Sequence, residues 1–330
     1  MTTNRHKSLG LEDNQVLDMY KTMVLARKLD ERMWLLNRAG KIPFVISCQG
    51  QEGAQVGAAF ALNRNIDYVA PYYRDMGVVL VFGMTPRELM LSGFAKAEDP
   101  NSGGRQMPGH FGQKKNRILT GSSPVTTQVP HAVGVALAAK MEDKDFVSFV
   151  TLGEGSSNQG DFHEGLNFAG VHQLPVITMV ENNKYAISVP LEKQLACESV
   201  SERAQGYGMP GVTVNGNDPL EVYEAVKVAR ERATNGNGPT LIEAITDRLT
   251  AHSSDDDDRT YRELEEIEAA KKKDTIILFG NYLKKCRVLT DHLEHSIQEE
   301  VDTIVNDATD YAENAPFADP ESALKHVYEE

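Results

Sequence analysis

The stretch "DFVSFVTLGEGSSNQGDFHEGLNFAGVHQLPVITMVEN", residues 145–182, holds two short apolar runs on either side of a helical pattern. The runs, DFVSFVTLG and LPVITMVEN, are rich in β-branched residues and are typical of strands buried on both faces of a parallel sheet. Between them, Phe162, Leu166 and Ala169 lie on one face of a helix. The stretch therefore predicts a strand–helix–strand unit.

A second unit of the same kind follows along the chain. The run VTVNG, residues 212–216, precedes a helix that Asp218 would cap, and TLIEAITDRL, residues 240–249, supplies another strand. Alternating strands and helices predict an α/β fold with an open, mostly parallel sheet covered by helices. Beyond the polar segment HSSDDDD only helical patterns remain. We therefore expect a single domain over residues 1–330, with a loosely ordered arm at 1–12 and a helical C-terminal extension at 261–330.

Capping residues and runs of small residues predict further helices. Asp13 can cap a long helix that Gly40 ends. Thr85 begins another helix, with proline and glutamate in its first turn. Two helices of mainly small residues, 50–62 and 130–140, favour close packing, either in the core or at a subunit interface.

Composition and charge argue against several classes of protein. The formal charge of −14 disfavours nucleic acid or an anionic membrane as the main partner. Cys48, Cys197 and Cys286 lack the paired spacing of zinc or redox sites, as expected of reduced thiols. No stretch is long and apolar enough to span a membrane, and the first residues show no secretory pattern. We expect a soluble, cytoplasmic protein with no nucleic-acid partner and no membrane partner.

Polar residues follow both strands of the first unit. Glu154 comes directly after one strand and Asn183 after the next, and the carboxyl ends of parallel strands meet at one edge of a sheet. Neighbouring strands lie about 4.8 Å apart, so a carboxylate and an amide oxygen there can share one ion. Such oxygen ligands suit Mg²⁺ completed by phosphate, and the helix beginning near Gln159 points its amino end at this position. The pattern predicts a magnesium–diphosphate site.

Two alternatives fit the same residues when the pattern is taken alone. A dinucleotide-binding fingerprint needs G-x-G-x-x-G, but the glycines here are Gly153, Gly155 and Gly160, and the third is displaced. The acidic residue between the first two would also repel a pyrophosphate. The other alternative is a tight turn and an Asn-rich β-turn with no ligand.

The pattern G-[DE]-G, followed about 25–30 residues later by N-N, resembles the thiamine diphosphate motif and occurs here in the expected strand–helix–strand context. The likeness extends over nearly the whole chain. It is carried by the motifs YYRDMG, GRQMPGHFG, SSPVTTQ, GEGSSNQGDFHEGLNFA, ENNKYAIS and AHSSDDDD. On these motifs the chain resembles the α subunits of branched-chain 2-oxoacid dehydrogenases, the decarboxylating components of multienzyme complexes. The resemblance implies the thiamine diphosphate-binding fold.

The resemblance also implies roles for particular residues. Magnesium would be held by the side chains of Glu154 and Asn183 and by the backbone carbonyl of Tyr185. The diphosphate would face Gly155, Ser156, Tyr73, Arg74 and His252, and His252 would also be catalytic. The aminopyrimidine of the cofactor would contact Ser123 and Val125. A monovalent cation, potassium, would be bound by Ser122, Pro124, Thr127 and Gln128.

One position departs from the resemblance. Glu181 stands where relatives often have an arginine that binds phosphate. On this interpretation Lys184 would supply the positive charge instead, or the site would be less positive than in those relatives.

The implied reaction is oxidative decarboxylation of a branched-chain 2-oxoacid, with thiamine diphosphate as the electron sink. The acyl group would pass to the lipoyl arm of a dihydrolipoyl acyltransferase, which dihydrolipoyl dehydrogenase accompanies in the complex. In this family the glutamate that activates the pyrimidine ring lies on a separate β subunit. We therefore expect an assembly of two α with two β chains and half of an active site in this chain.

The substrate class depends on fewer residues. Phe44, followed by Val45, would line an apolar acyl pocket, although an apolar run also suits the core. One extra methylene changes discrimination by only about 1–3 kcal/mol, so overlapping substrates are expected. Alternatives are the α subunit of a pyruvate or acetoin dehydrogenase, an NAD-binding dehydrogenase, or a scaffold without a metal site.

Overall fold

The centre of the molecule is a five-stranded sheet in which every pairing is parallel. The computed structural model describes residues 4–325. The strands of the sheet stand in the order β1-β2-β3-β7-β6. They are β1 (Tyr68–Ala70), β2 (Ser148–Gly153), β3 (Val176–Asn182), β6 (Gly211–Asn215) and β7 (Thr240–Ile245), and a separate two-stranded hairpin contains β4 (Tyr185–Ala186) and β5 (Val189–Pro190).

Eleven α-helices occur among the described residues. In chain order they are α1 (Arg5–Ser8), α2 (Asp13–Arg38), α3 (Glu52–Phe60), α4 (Met76–Val81), α5 (Pro86–Gly93), α6 (Gln128–Met141), α7 (Gly160–Val171), α8 (Pro219–Thr234), α9 (Leu264–Lys271), α10 (Thr275–Lys285) and α11 (Asp291–Asn314). Within residues 4–325 none of these helices has both the length and the apolar character needed to cross a membrane.

Helices cover both faces of the sheet because successive strand residues point to opposite faces. Phe149 on β2 packs into a large core with α2, α3, α8 and the C-terminal helices α10 and α11. Val150, the next residue, packs on the other face with α6 and α7. The predicted α/β class with a mostly parallel sheet is confirmed.

The register of the sheet places the ends of β2 and β3 side by side. Gly153, the last residue of β2, pairs with Glu181 on β3. Glu154 and Asn183 each follow within two residues of this pair. Adjacent parallel strands therefore deliver these two polar side chains to one edge, as the sequence pattern predicts.

Element boundaries differ from the sequence-based expectations by a few residues. Glu12, not Asp13, is the N-cap of α2, and its backbone N–H donates to the Gln15 side chain at 2.8 Å. Thr85 and Asp218 do cap α5 and α8, because each side-chain oxygen accepts from backbone N–H groups of the first turn. The expected strand over residues 240–249 ends at Ile245.

The expected loose arm at residues 1–12 is wrong for residues 4–12. His6 in α1 and Leu11 are both buried. The His6 imidazole contacts the Tyr282 hydroxyl at 2.7 Å and the Asp13 carboxylate at 2.9 Å. Polar contacts to the distant helix α10 hold this segment, and a local sequence pattern carries no sign of such contacts. Residues 1–3 lie outside the described residues.

Candidate active site

A cleft of about 390 Å³ opens at the carboxyl ends of β2 and β3. Loops that follow β1 and β7 and the hairpin after β3 complete its walls. The residues that line it are Tyr72, Tyr73, Arg74, Ser123, Val125, Gly153, Glu154, Gly155, Ser156, Asn183, Tyr185, Ala186, Ile187 and His252. The structure therefore brings together most of the residues that the sequence assigns to metal and cofactor.

Glu154 is a buried carboxylate without a cationic partner. Its side chain is 1% exposed, and no Lys or Arg of residues 4–325 forms an ion pair with it. Among the described residues it accepts two long hydrogen bonds, both of 3.3 Å, from the Asn183 backbone N–H and from Gln194 Nε2. Burial raises the pKa of the Glu154 carboxyl above its usual value. A buried anion of this kind is costly unless a cation compensates it.

Asn183 and Tyr185 stand beside this carboxylate across a tight turn. Lys184 between them has a φ of 75°, in the left-handed region. The Asn183 Oδ1 atom accepts from the Tyr185 backbone N–H at 3.4 Å. A carboxylate, an amide oxygen and a backbone carbonyl form the oxygen-only donor set that Mg²⁺ prefers. The residues present therefore fit a magnesium ion, which would also compensate the charge of Glu154.

Lys184 is not where the sequence interpretation places it. Its ammonium group pairs with the Asp247 carboxylate at 2.5 Å, and Lys184 is absent from the residues that line the cleft. The left-handed turn directs the side chain away from the site toward the end of β7. We therefore correct the expectation that Lys184 faces the diphosphate.

Arg74 and His252 form a coupled pair on the opposite wall. Arg74 is 2% exposed; its guanidinium donates to the Ser47 carbonyl at 2.7 Å and contacts His252 Nδ1 at 2.9 Å. Its Nε atom is buried and has no hydrogen-bond partner within residues 4–325. Burial, with Arg74 as the next cause, lowers the pKa of His252 to about 4. The imidazole is therefore neutral at physiological pH, and Arg74 brings the positive charge that suits a phosphate.

The tyrosine before this arginine shares the same wall. The Tyr73 ring packs edge-on to the His252 ring, with centroids 6.2 Å apart, and the Arg74 guanidinium lies 5.3 Å from the Tyr73 ring centroid. The loop after β1 thus presents an aromatic ring and a cation to the cleft together.

Gly155 and Ser156 begin a 3₁₀ turn, Gly155–Asn158, directly before α7. A Cβ atom at Gly155 would lie closer than 3.0 Å to Ala186, so the hairpin can approach this backbone only because the residue is glycine. The amino end of α7 next to this turn favours an anion.

Ser123 and Val125 line the cleft from a loop that follows the long segment after α5. The Ser123 hydroxyl contacts His110 Nε2 at 2.7 Å. This contact brings the motif GRQMPGHFG to the site through His110. Because His110 and Ser123 lie 13 residues apart in the sequence, no local pattern predicts that they are in contact.

The residues assigned to a monovalent cation also converge. The Ser122 hydroxyl lies 2.9 Å from both the Pro124 carbonyl and the Thr127 hydroxyl. Gln128 begins α6, and its side-chain amide donates to the Thr151 carbonyl at 2.9 Å. Hydrogen bonds among the Ser122 hydroxyl, the Pro124 carbonyl and the Thr127 hydroxyl thus hold the loop together and bring three oxygen atoms close to one another.

Phe44 lies beside the cleft rather than in it. It lines a small, mainly apolar cavity of about 30 Å³ together with Met33, Val45, Tyr73 and Leu89. Tyr73 lines both spaces. An apolar pocket therefore adjoins the cleft at the tyrosine.

Beneath the cleft lies a polar network that the sequence did not reveal. Glu181 and Asp75 are fully buried, and their carboxyl groups face each other. Burial, with the Asp75 carboxylate as the next cause, holds the pKa of Glu181 well above its usual range. Tyr72 and Gln55 also contact Glu181, at 3.3 and 3.1 Å. Glu181 is therefore a protonated, neutral acid in the buried network beneath the cleft, and it adds no negative charge to the cleft.

Comparison with known proteins decides the family. A family model described as "Dehydrogenase E1 component" matches residues 20–321. The chain belongs to the dehydrogenase E1 component family. The sequence-based prediction of the family is confirmed.

Curated relatives of this E1 component differ widely in similarity. The chain is 73% identical over 328 residues to the 2-oxoisovalerate dehydrogenase subunit alpha of Bacillus subtilis (strain 168), covering 99% of both chains. It is 37% identical to the human mitochondrial 2-oxoisovalerate dehydrogenase subunit alpha, over 97% of this chain and 72% of that protein. The pyruvate dehydrogenase E1 component subunit alpha of the same Bacillus strain is also 37% identical, over 97% of this chain and 83% of that protein.

Proposed function

We propose that this E1 component is the α subunit of a branched-chain 2-oxoacid dehydrogenase, acting on substrates such as 3-methyl-2-oxobutanoate. One observation carries the substrate class. Two relatives from one organism differ twofold in identity to this chain, 73% for the 2-oxoisovalerate enzyme and 37% for the pyruvate enzyme. The two relatives act on different substrates in one organism, and this chain is much more similar in sequence to the 2-oxoisovalerate enzyme. Pyruvate or acetoin is therefore the less favoured substrate.

The cleft is the site of thiamine diphosphate and magnesium in this proposal. When bound, the cofactor supplies an electron sink for decarboxylation. Glu154, Asn183 and the Tyr185 carbonyl would hold the metal, since they form an oxygen donor set around an uncompensated carboxylate. Arg74, Tyr73, His252, Gly155 and Ser156 would hold the diphosphate.

The protein residues have distinct tasks in this arrangement. Arg74 neutralises phosphate charge from a buried position, where solvent screens it little. His252, neutral because of its burial, offers a hydrogen bond rather than a charge, and it would meet both cofactor and substrate as the catalytic residue of this chain. Ser123 and Val125 would contact the aminopyrimidine, and Ser122, Pro124, Thr127 and Gln128 would bind potassium at the loop.

The site in this chain lacks one component of the reaction. Glu154 is the only acidic residue among those that line the cleft, and it belongs to the metal. The carboxylic acid that activates the pyrimidine would then come from the β subunit, as the family resemblance implies. We propose two α with two β chains, working in the cytoplasm with a lipoyl-bearing dihydrolipoyl acyltransferase and dihydrolipoyl dehydrogenase.

The remaining proposals concern the acyl pocket and the domain. The cavity at Phe44 would take the branched side chain of the substrate, because it is apolar and adjoins the cleft at Tyr73. Residues 1–330 would act as one thiamine diphosphate-binding domain. The helices after residue 261 support this, since α10 and α11 share the core of α2 rather than building their own.

Co-expression with the β subunit tests the proposal. We expect the chain alone to be inactive, and the assembled enzyme to decarboxylate 3-methyl-2-oxobutanoate with a kcat/KM at least about 10-fold above that for pyruvate, the effect of added methylenes in an apolar pocket. The reaction is followed with an artificial electron acceptor and with the acyltransferase. A preference for pyruvate, or full activity of the lone chain, would overturn the proposal.

A further inference from the structure

Two glutamines stand one helical turn apart at the beginning of α3, directly under the cleft. Gln51 and Gln55 are both fully buried. Residues four apart lie on the same face of a helix, so both amides point into the same polar network. A buried amide is retained at a cost unless its hydrogen bonds are used, which raises the question of what each glutamine does.

Gln51 contacts the metal side of the site. Its Oε1 atom accepts from the Asn183 side-chain amide at 3.4 Å and from the Tyr72 hydroxyl at 3.1 Å. When Asn183 Nδ2 is held by Gln51, Asn183 Oδ1 faces the other way, toward the turn with Tyr185. Gln51 Nε2 has no hydrogen-bond partner among the described residues, and the Tyr72 hydroxyl holds Gln51 in this orientation. With Gln51 held in this way, a flipped Asn183 would place two acceptor oxygens against each other. Gln51 thus selects which end of the asparagine amide is presented to the site.

Gln55 contacts the phosphate side instead. Its Nε2 atom donates to the Arg74 backbone carbonyl at 3.0 Å, and its Oε1 atom accepts from the Gly77 backbone N–H at 3.1 Å. It therefore supports the segment that carries Arg74 and makes no contact with Glu154 or Asn183. The two glutamines are matched in burial and helix position but differ in the ligand they support.

We propose that Gln51 is a positioning residue for the metal, which fixes the Asn183 amide with Oδ1 toward Mg²⁺. The inference rests on the proposed magnesium–diphosphate site and deepens it. Groups that orient metal ligands through a hydrogen bond change metal affinity by about 10–100-fold when they are removed. The Tyr72 hydroxyl also donates to Gln51 Oε1, so it should increase the affinity for Mg²⁺ as well, by a smaller factor.

The experiment measures Mg²⁺ binding to the metal-free assembly of this chain with its β subunit, at saturating thiamine diphosphate, by calorimetry. Gln51→Met keeps the side-chain length and removes the acceptor, and we expect it to raise the Kd for Mg²⁺ about 10–100-fold. Gln51→Glu keeps an acceptor oxygen. Its Kd for Mg²⁺ should therefore stay within about threefold of the wild-type value, a much smaller change than the one expected for Gln51→Met. The matched control, Gln55→Met, should leave the Mg²⁺ Kd unchanged and raise the Kd for thiamine diphosphate at saturating Mg²⁺.

Melting temperatures of the variants separate positioning from folding. If Gln51→Met does not fold, Tyr72→Phe tests the same contact, since it removes the hydroxyl that holds Gln51. That hydroxyl also contacts Glu181, and its loss should raise the Mg²⁺ Kd severalfold. Equal Mg²⁺ Kd values for Gln51→Met and wild type, or equal losses in Gln51→Met and Gln55→Met, would overturn the inference. Wild-type protein that binds thiamine diphosphate with no dependence on Mg²⁺ would overturn the proposed site itself.

Discussion

The two helices of small residues, α3 and α6, have similar composition and opposite surroundings. In α3 every residue from Glu52 to Ala59 is buried, and Gly57 lies directly against the backbone of Pro219 at the start of α8. In α6 a Cβ atom at Gly134 would meet nothing within 4 Å, and Met141 is 79% exposed. Small residues in α3 serve packing within the chain, whereas those of α6 leave one face of the helix exposed.

Both helices begin at the cleft, so the comparison also concerns function. Gln51 precedes α3 and contacts Asn183 at the metal side of the site. Gln128 begins α6, immediately after the loop assigned to potassium. We infer that α3 links the site to the chain's own core, and that α6 links it to the β subunit.

The largest effect is expected when Gly57, which lies against the backbone of Pro219, is replaced by a larger residue. A Cβ atom at Gly57 would lie closer than 3.0 Å to the Pro219 carbonyl oxygen, which is backbone and cannot turn away. Overpacking a core costs about 1–3 kcal/mol and more where backbone must move. Gly57→Leu should therefore yield little soluble chain or a strongly lowered melting temperature. Gly134→Leu, the same change in α6, is the control, and equal melting temperatures for the two would contradict the comparison.

The second prediction concerns the cleft at which both helices begin. Glu154→Ala should weaken Mg²⁺-dependent binding of thiamine diphosphate by at least about 100-fold, since it removes the one carboxylate of the metal site. The metal-free protein should keep or raise its melting temperature, because a buried and uncompensated carboxylate is removed. Calorimetry measures the binding and circular dichroism checks the fold. Unchanged affinity would mean that the metal is held elsewhere.

A smaller effect is expected from the open face of α6. Gly134→Leu should leave the chain folded, because its side chain enters open space. It should weaken association with the β subunit by at least about 10-fold, about 1.4 kcal/mol, by blocking close approach of the partner. Sedimentation of the mixed chains over a concentration series measures this. If Gly134→Leu associates with the β subunit as tightly as wild type does, α6 faces solvent in the enzyme.

The smallest effect concerns His252, on the wall supported by Arg74 and, through it, by α3. Its pKa in the folded chain, about 4, lies below the usual 6.5. Between these values the unfolded chain binds the extra proton, so stability falls as pH decreases from 6.5 toward 4. The difference is worth about 1–2 kcal/mol for a partly exposed group.

His252→Asn removes this titration while keeping a polar side chain. In the cofactor-free protein we expect its melting temperature to decline less than that of wild type, by a few degrees, between pH 6.5 and pH 4.5. His295→Asn, at an exposed position on α11, is the control. Parallel pH profiles for His252→Asn and wild type would indicate that His252 is charged in the folded state.

The alternation of strand and helix patterns was enough to predict the parallel sheet. Glu154 and Asn183 could be assigned to one site because each follows a strand directly, and parallel strands end at the same edge. Gln51, Gln55 and Asp75 could not be found in this way, since they lie about 20 to 130 residues away from their partners in the sequence. Lys184 was misplaced for a local reason, the left-handed backbone that turns its side chain toward Asp247.

Sequence alone thus determined the fold class, the family and the identity of the residues at the strand ends, because hydrophobic period and strand-end position are local properties of the chain. Only the tertiary structure decided the protonation and support of those residues. Burial, and next the Asp75 carboxylate, hold the pKa of Glu181 well above its usual range, and burial, and next the Arg74 guanidinium, lower the pKa of His252. Likewise, α3 and α6 have similar local patterns, and their roles differ because α8 covers one of them and no element of the described chain covers the exposed face of the other.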